Sequence, residues 1–123
     1  MNASIATVFD EREARSATTT QEAQKAMIAF IKEGLDPHSR HSIAERSKGY
    51  DLYLPWLMEI IEYVAPLEGK DPLPIPKLHR LYMDAAWDMV MQGLLRPGPK
   101  SMAGGADPNA YGRAYSLRDD VEI

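Results

Sequence analysis

Apolar residues recur at helical spacing in several stretches of the chain, and local signals mark where those stretches begin and end. Thr19 and Glu22 have the spacing of a capping box, and so do Ser42 and Glu45. Pro66 stops a later apolar stretch, since proline cannot continue a helix. The pattern predicts helices over residues 21–33, 42–49, 53–64 and 77–92.

The stretch 77–92 carries the strongest helical pattern. One apolar stripe of this helix consists of Leu78, Tyr82, Ala85, Ala86 and Met89. A second stripe beside it consists of Met83, Trp87, Val90 and Leu94. Together they cover about 200° of the helical wheel, which is wider than one half-buried helix needs. The remaining polar arc is narrow and consists of Lys77, Arg80, Asp84, Asp88 and Gln92.

The chain that follows this helix predicts a two-stranded hairpin. Residues 94–96 and 114–117 have strand character, and the loop between them is rich in proline and glycine. The predicted fold class is therefore mainly α with a small C-terminal β-hairpin, an α+β protein. We expect one shared core that includes Leu78, Tyr82, Met89, Phe30, Ile31, Trp56, Ile60 and Ile61.

Composition and charge narrow the class of protein. The chain has 123 residues, which favours one domain, and it has no cysteine, which excludes disulfides and thiolate chemistry. Its net charge is −4, but residues 94–118 contain four basic residues against one acidic residue. No apolar run approaches the roughly 18 residues of a membrane span, and the first residues lack a signal-peptide pattern. We therefore expect a cytoplasmic protein without a membrane segment.

The order of motifs in about residues 74–118 resembles a winged helix-turn-helix domain. The residues that carry the resemblance are Ala85-Ala86-Trp87, then Gly93-Leu94-Leu95-Arg96-Pro97-Gly98, and finally Gly112-Arg113-Ala114-Tyr115-Ser116-Leu117. In that family the glycine and the two apolar residues lead from the recognition helix into the first wing strand. The resemblance implies a winged-helix-like domain over residues 19–118. Residues 1–18 would form an N-terminal arm or a short helix, and residues 119–123 an acidic tail.

The resemblance predicts a DNA-binding transcription regulator that contacts double-stranded DNA through the wing and the start of the long helix. The candidate nucleic-acid-binding residues are Lys77, Arg80, Arg96, Lys100, Arg113 and Arg118. They can equally be solvated surface charges. Asp84 and Asp88 on the same helix would repel phosphates. The alternative is a winged helix that serves as a protein–protein interaction module or as the accessory subunit of a larger assembly, without binding DNA.

The wide apolar arc of the long helix also predicts a homodimer. The candidate interface residues are Ile5, Val8, Phe9, Met83, Trp87 and Met91. The last three flank the polar arc, so they should remain uncovered by their own chain. The first three either pack within their own chain or cross to a second copy as an exchanged arm.

The chain offers little catalytic or metal chemistry. Asp36, His38 and His41 are close in sequence, but a His-x-x-His pair in a polar loop is usually plain surface. No arrangement of nucleophile and base is evident. We expect no enzyme activity, no cofactor and no metal site.

Overall fold

The structure is a computed structural model that describes residues 9–35, 50–98 and 114–122. Its helices in these ranges are α1 (Glu11–Arg15), α2 (Thr20–Leu35), α3 (Leu54–Ile61) and α4 (Ile75–Met91). Its strands are β1 (Leu52–Tyr53), β2 (Leu95–Pro97) and β3 (Ala114–Leu117). The protein is therefore mainly helical with a small antiparallel sheet, in agreement with the predicted α+β class. The predicted helix over residues 42–49 lies outside the described residues.

Side-chain caps fix the beginnings of the first two helices. The carboxylate of Asp10 accepts hydrogen bonds from the backbone N–H groups of Arg12 and Glu13, at 2.9 and 3.1 Å. At α2 the backbone N–H of Glu22 donates to the hydroxyl of Thr19 at 3.2 Å, which confirms the predicted capping box. These bonds satisfy N–H groups that have no partner inside a helix.

The sheet contains one strand that the sequence pattern did not predict. β3 lies in the centre, with β1 on one side and β2 on the other, and both pairings are antiparallel. The β2–β3 pairing confirms the predicted hairpin. β1 has only two residues, too few to produce a recognisable alternation of polar and apolar positions. Tyr53 was expected to begin a helix, but it pairs with Ala114 in the sheet, and α3 begins one residue later.

One core joins the helices and the sheet. Six of the eight predicted core residues are fully buried, namely Leu78, Tyr82, Met89, Phe30, Ile31 and Ile61. Trp56 and Ile60 are only partly buried against the core. The reason is the orientation of α3, whose buried face consists of Leu54, Leu57, Met58 and Ile61.

The N-terminal segment belongs to this core. Phe9 is buried and packs edge-to-face against Phe30, with ring centroids 5.1 Å apart. Ala14 of α1 is also buried, and its carbonyl accepts a 2.7 Å hydrogen bond from the hydroxyl of Tyr82. Of the two expectations for residues 1–18, the described part therefore contains a short, packed helix rather than a loose arm.

A glycine ends α4 and turns the chain into the hairpin. Gly93 has φ +80°, a conformation that strains other residues. The N–H of Gly93 donates to the carbonyl of Val90, and the N–H of Leu94 donates to that of Met89. This pair of bonds is the Schellman motif, and it satisfies carbonyls at the end of the helix.

Candidate functional site

The long helix α4 buries one face completely and leaves the opposite face in solvent. All five residues of its first apolar stripe are buried, as the sequence predicted. On the opposite face Lys77, Arg80, Asp84 and Asp88 are exposed. Among the described residues, none of these four side chains forms an ion pair shorter than 4 Å. The charged face of α4 is therefore available for an outside contact.

An apolar strip runs along this exposed face. Its three members are spaced four residues apart, and 49% of Met83, 51% of Trp87 and 76% of Met91 is accessible. With a rise of 1.5 Å per residue, the strip is about 12 Å long. These side chains were predicted to stay uncovered by their own chain, and that prediction is confirmed. Met and Trp are residue types that protein interfaces favour.

A groove between α3 and α4 continues from this strip. It has a volume of about 440 Å³, and Met83 belongs both to its lining and to the strip. Its apolar wall includes Leu54 and Met58, and Glu59 and Glu62 stand at its edge. The imidazole Nε2 of His79 lies 3.4 Å from a carboxylate oxygen of Glu62. The groove therefore combines an apolar lining with an acidic edge.

The base of the hairpin presents two arginines that each lie beside an aspartate of the same chain. The guanidinium of Arg118 contacts both carboxylate oxygens of Asp120, at 3.3 and 3.4 Å. The Nη2 atom of Arg96 lies 3.9 Å from a carboxylate oxygen of Asp119. Sequence reasoning placed these aspartates in an acidic tail and missed the pairing. The adjacent opposite charges in 94–118 and 119–123 were the signal that could have indicated it.

The position of Arg118 also depends on the end of α4. A Cβ atom at Gly93 would lie 3.4 Å from the guanidinium of Arg118, so this side chain passes over the glycine. The backbone N–H of Arg118 donates to the carbonyl of Leu94 at 3.1 Å. A cation at this place is favourable, since the C-terminal end of a helix carries partial negative charge.

A buried carboxylate that sequence reasoning did not single out supports the hairpin. Asp51 precedes β1 and is almost fully buried. Its backbone N–H donates to the carbonyl of Tyr115 at 3.0 Å, and its carboxylate accepts from the N–H of Leu117 at 2.8 Å. Asp51 thus fixes β3 beside β1 and has a structural role.

The predicted site residues fall into four groups. Lys77, Arg80, Met83, Trp87 and Met91 share the exposed side of α4, while Arg96 and Arg118 lie together at the hairpin base. Phe9 does not join either surface, because it packs into the core of its own chain. The predicted residues that lie outside the described ranges are Ile5, Val8, Lys100 and Arg113, and the weak metal candidates Asp36, His38 and His41 lie outside them as well.

Three further properties of the described residues bear on function. Across residues 9–35, 50–98 and 114–122, fifteen Asp and Glu side chains stand against nine Lys and Arg. In the same ranges no three His, Asp or Glu side chains are arranged to hold a metal ion. None of the helices that the structure describes is both long and apolar enough to cross a membrane.

Comparison of the chain with models of protein families, with curated proteins and with solved structures found no significant match.

Proposed function

We propose that this chain is a winged helix-turn-helix domain that acts as a protein–protein interaction module, and that the exposed side of α4 is its contact surface. The order of elements supports the fold part of the proposal. α2, β1, α3 and α4 precede the β2–β3 hairpin, and β1 pairs with the returning strand of that hairpin. A winged helix-turn-helix domain has the same succession, with the recognition helix directly before the wing.

The composition of the α4 face carries the functional part of the proposal. A helix that enters the major groove presents basic or neutral polar side chains to base edges and phosphates. Here Trp87 is half exposed and stands beside two other uncovered apolar side chains. Asp84 and Asp88 share this face, and their negative charges repel phosphates. An apolar strip among charges of both signs suits a protein surface better than DNA.

A photo-crosslinking amino acid in place of Met91 tests the proposal directly. We expect covalent adducts with protein when the variant is expressed in its native cells, because this side chain lies at the uncovered end of the strip. The matched control carries the same amino acid at Glu68, which is exposed but far from the strip in the chain. Mass spectrometry identifies the adduct. Equal adducts at both positions, or none at Met91, would refute the proposed contact surface.

DNA binding is the second candidate function, and the exposed cations at the start of α4 favour it. Lys77 and Arg80 are exposed on the first turns of the helix that corresponds to the recognition helix. If the four basic residues of 94–118 neutralised phosphates, log K for random duplex DNA would fall with log salt at a slope of about −3.6. Replacing Arg96 and Arg113 by Ala would flatten that slope by about 2. Such a result would replace the protein-contact proposal by this one.

A further inference from the structure

The exposed face of α4 is divided by charge along its length. Lys77 and Arg80 stand in the N-terminal half, and Asp84 and Asp88 stand in the C-terminal half. With about 100° per residue, these four and the apolar strip fall within about 140° of the helical wheel. A partner surface that carries only positive or only negative charge would be attracted by one half of this face and repelled by the other half. The charge order of this face complements a partner whose charges run in the opposite order.

A second copy of the same helix in antiparallel orientation has that order. Lys77 and Arg80 are three positions apart, and the two aspartates are four positions apart. A single antiparallel register can therefore bring both basic residues close to acidic residues of the second copy. It places Lys77 opposite Asp88 of the second copy, and Arg80 opposite Asp84 of the second copy. Two-fold symmetry repeats both contacts, since in an isologous interface each pairing occurs twice.

The same register brings the apolar strip into the contact. The two-fold axis passes close to the level of Met83, midway between the paired charges, so the two Met83 side chains lie on the same side of the helix pair, next to the axis. Trp87 comes opposite Lys77 of the second copy, where a cation–π contact can form. Met91 lies towards the far end of the paired helices, about 25 Å along the helix axis from Met91 of the second copy.

We propose that a second copy of this chain covers the exposed face of α4, with the two helices antiparallel about a two-fold axis near Met83. The inference rests on the proposed contact surface and names its occupant. The inference depends on the order of charges along this face. When two copies of α4 run antiparallel, the basic half of each helix faces the acidic half of the other. A contact centred on one pair of helices buries a small area, so we expect a dissociation constant in the micromolar range.

Engineered cysteines test the register, because the natural chain contains no cysteine. With a short bismaleimide crosslinker we expect Met83→Cys to give a covalently linked dimer, since the two copies of this residue lie on the same side of the helix pair next to the axis. Met91→Cys is the matched control and should remain monomeric. Random collision would favour the more exposed Met91. Equal or stronger crosslinking of Met91→Cys, or none of Met83→Cys, would overturn the proposed register.

Charge exchange provides the second arm of the test. By sedimentation equilibrium up to about 100 μM, we expect the wild-type chain to dimerise, with its dissociation constant raised at least tenfold by Arg80→Asp. Adding Asp84→Arg to that variant should restore dimerisation, which a merely misfolded variant could not do. Failure of the double variant to recover overturns the inference.

The outcome also separates this inference from the proposed function. A wild-type chain that stays monomeric, together with a crosslink from position 91 to a different protein, overturns the self-association and leaves the contact surface in place. A monomeric chain with no protein crosslink at position 91 overturns both.

Discussion

At the scale of single residues, Tyr82 links the N-terminal segment to the long helix. Its hydroxyl is buried and donates to the carbonyl of Ala14, across 68 positions of the chain. Burial raises the pKa of the Tyr82 hydroxyl above its ordinary value of 10.0, and the charges of Glu13 and Glu22 raise the pKa further. Because the folded-state pKa is the higher one, this group contributes its full stability below pH 10 and loses it as the pH rises towards the folded-state pKa.

Tyr82→Phe should lower the free energy of unfolding by about 1–2 kcal/mol at pH 7, because the carbonyl of Ala14 loses its buried donor. The difference from the wild type should shrink above pH 10, where only the wild type loses stability through this hydroxyl. Urea unfolding at pH 7, 9 and 11 measures this difference in the free energy of unfolding. Tyr63→Phe is the control, since Tyr63 is 88% exposed, and it should change nothing. A difference that stays constant with pH would contradict the buried, protonated state of Tyr82.

At the scale of elements, the start of α2 depends on one carboxylate. The backbone N–H of Thr18 donates to a carboxylate oxygen of Glu22 at 3.0 Å, and the hydroxyls of Thr18 and Thr19 lie within 3.3 Å of the same atom. The hydrogen bond from the Thr18 backbone is the main reason that the pKa of Glu22 is lowered. Since the folded-state pKa is the lower one, this stabilisation is present above the ordinary pKa of 4.5 and is lost as the pH falls through the folded-state pKa.

Glu22→Gln should therefore destabilise the protein by a few tenths of a kcal/mol at pH 7, a small effect because the site is exposed. Glutamine can keep the geometry of the capping box, so the comparison isolates the charge. We expect the difference to shrink as the pH falls through the folded-state pKa of Glu22 in chemical unfolding experiments. Glu68→Gln serves as the control for removing an exposed negative charge elsewhere. A deficit of equal size at pH 3 and pH 7 would show that the charge of Glu22 is not responsible.

The elements also show how far local patterns determine this fold. The buried stripe of α4 and the turn at Gly93 were predictable, because helical periodicity and glycine at a helix end are local signals. The extent of α3 was not, since its first turn is displaced by the pairing of Tyr53 with Ala114, 61 positions later in the chain. Phe9 likewise had two possible locations from sequence alone, and only its tertiary contact with Phe30 decides between them.

At the scale of the whole molecule, the candidate site is a matter of charge arrangement more than of net charge. The exposed apolar strip could be predicted from the sequence, because it depends only on the width of the apolar arc on one helix. The ion pairs at the hairpin base could not be predicted in this way, because they depend on how the chain turns after β3. They join Arg96 to Asp119 and Arg118 to Asp120. Neighbouring carboxylates thereby reduce the positive field that these arginines would offer to phosphates.

Neutralising Asp119 and Asp120 should strengthen the positive potential around the two arginines. We expect Asp119→Asn with Asp120→Asn to raise the affinity for random duplex DNA at about 50 mM salt by at least tenfold relative to the wild type. The salt slope should steepen by about 1.8, the increment that two added phosphate contacts produce. Fluorescence anisotropy over a salt series measures both quantities. Glu68→Gln with Asp71→Asn removes the same two charges at exposed positions away from the hairpin. Equal gains in the two double variants would mean that DNA affinity follows total charge, and that the aspartates do not act through the arginines they contact.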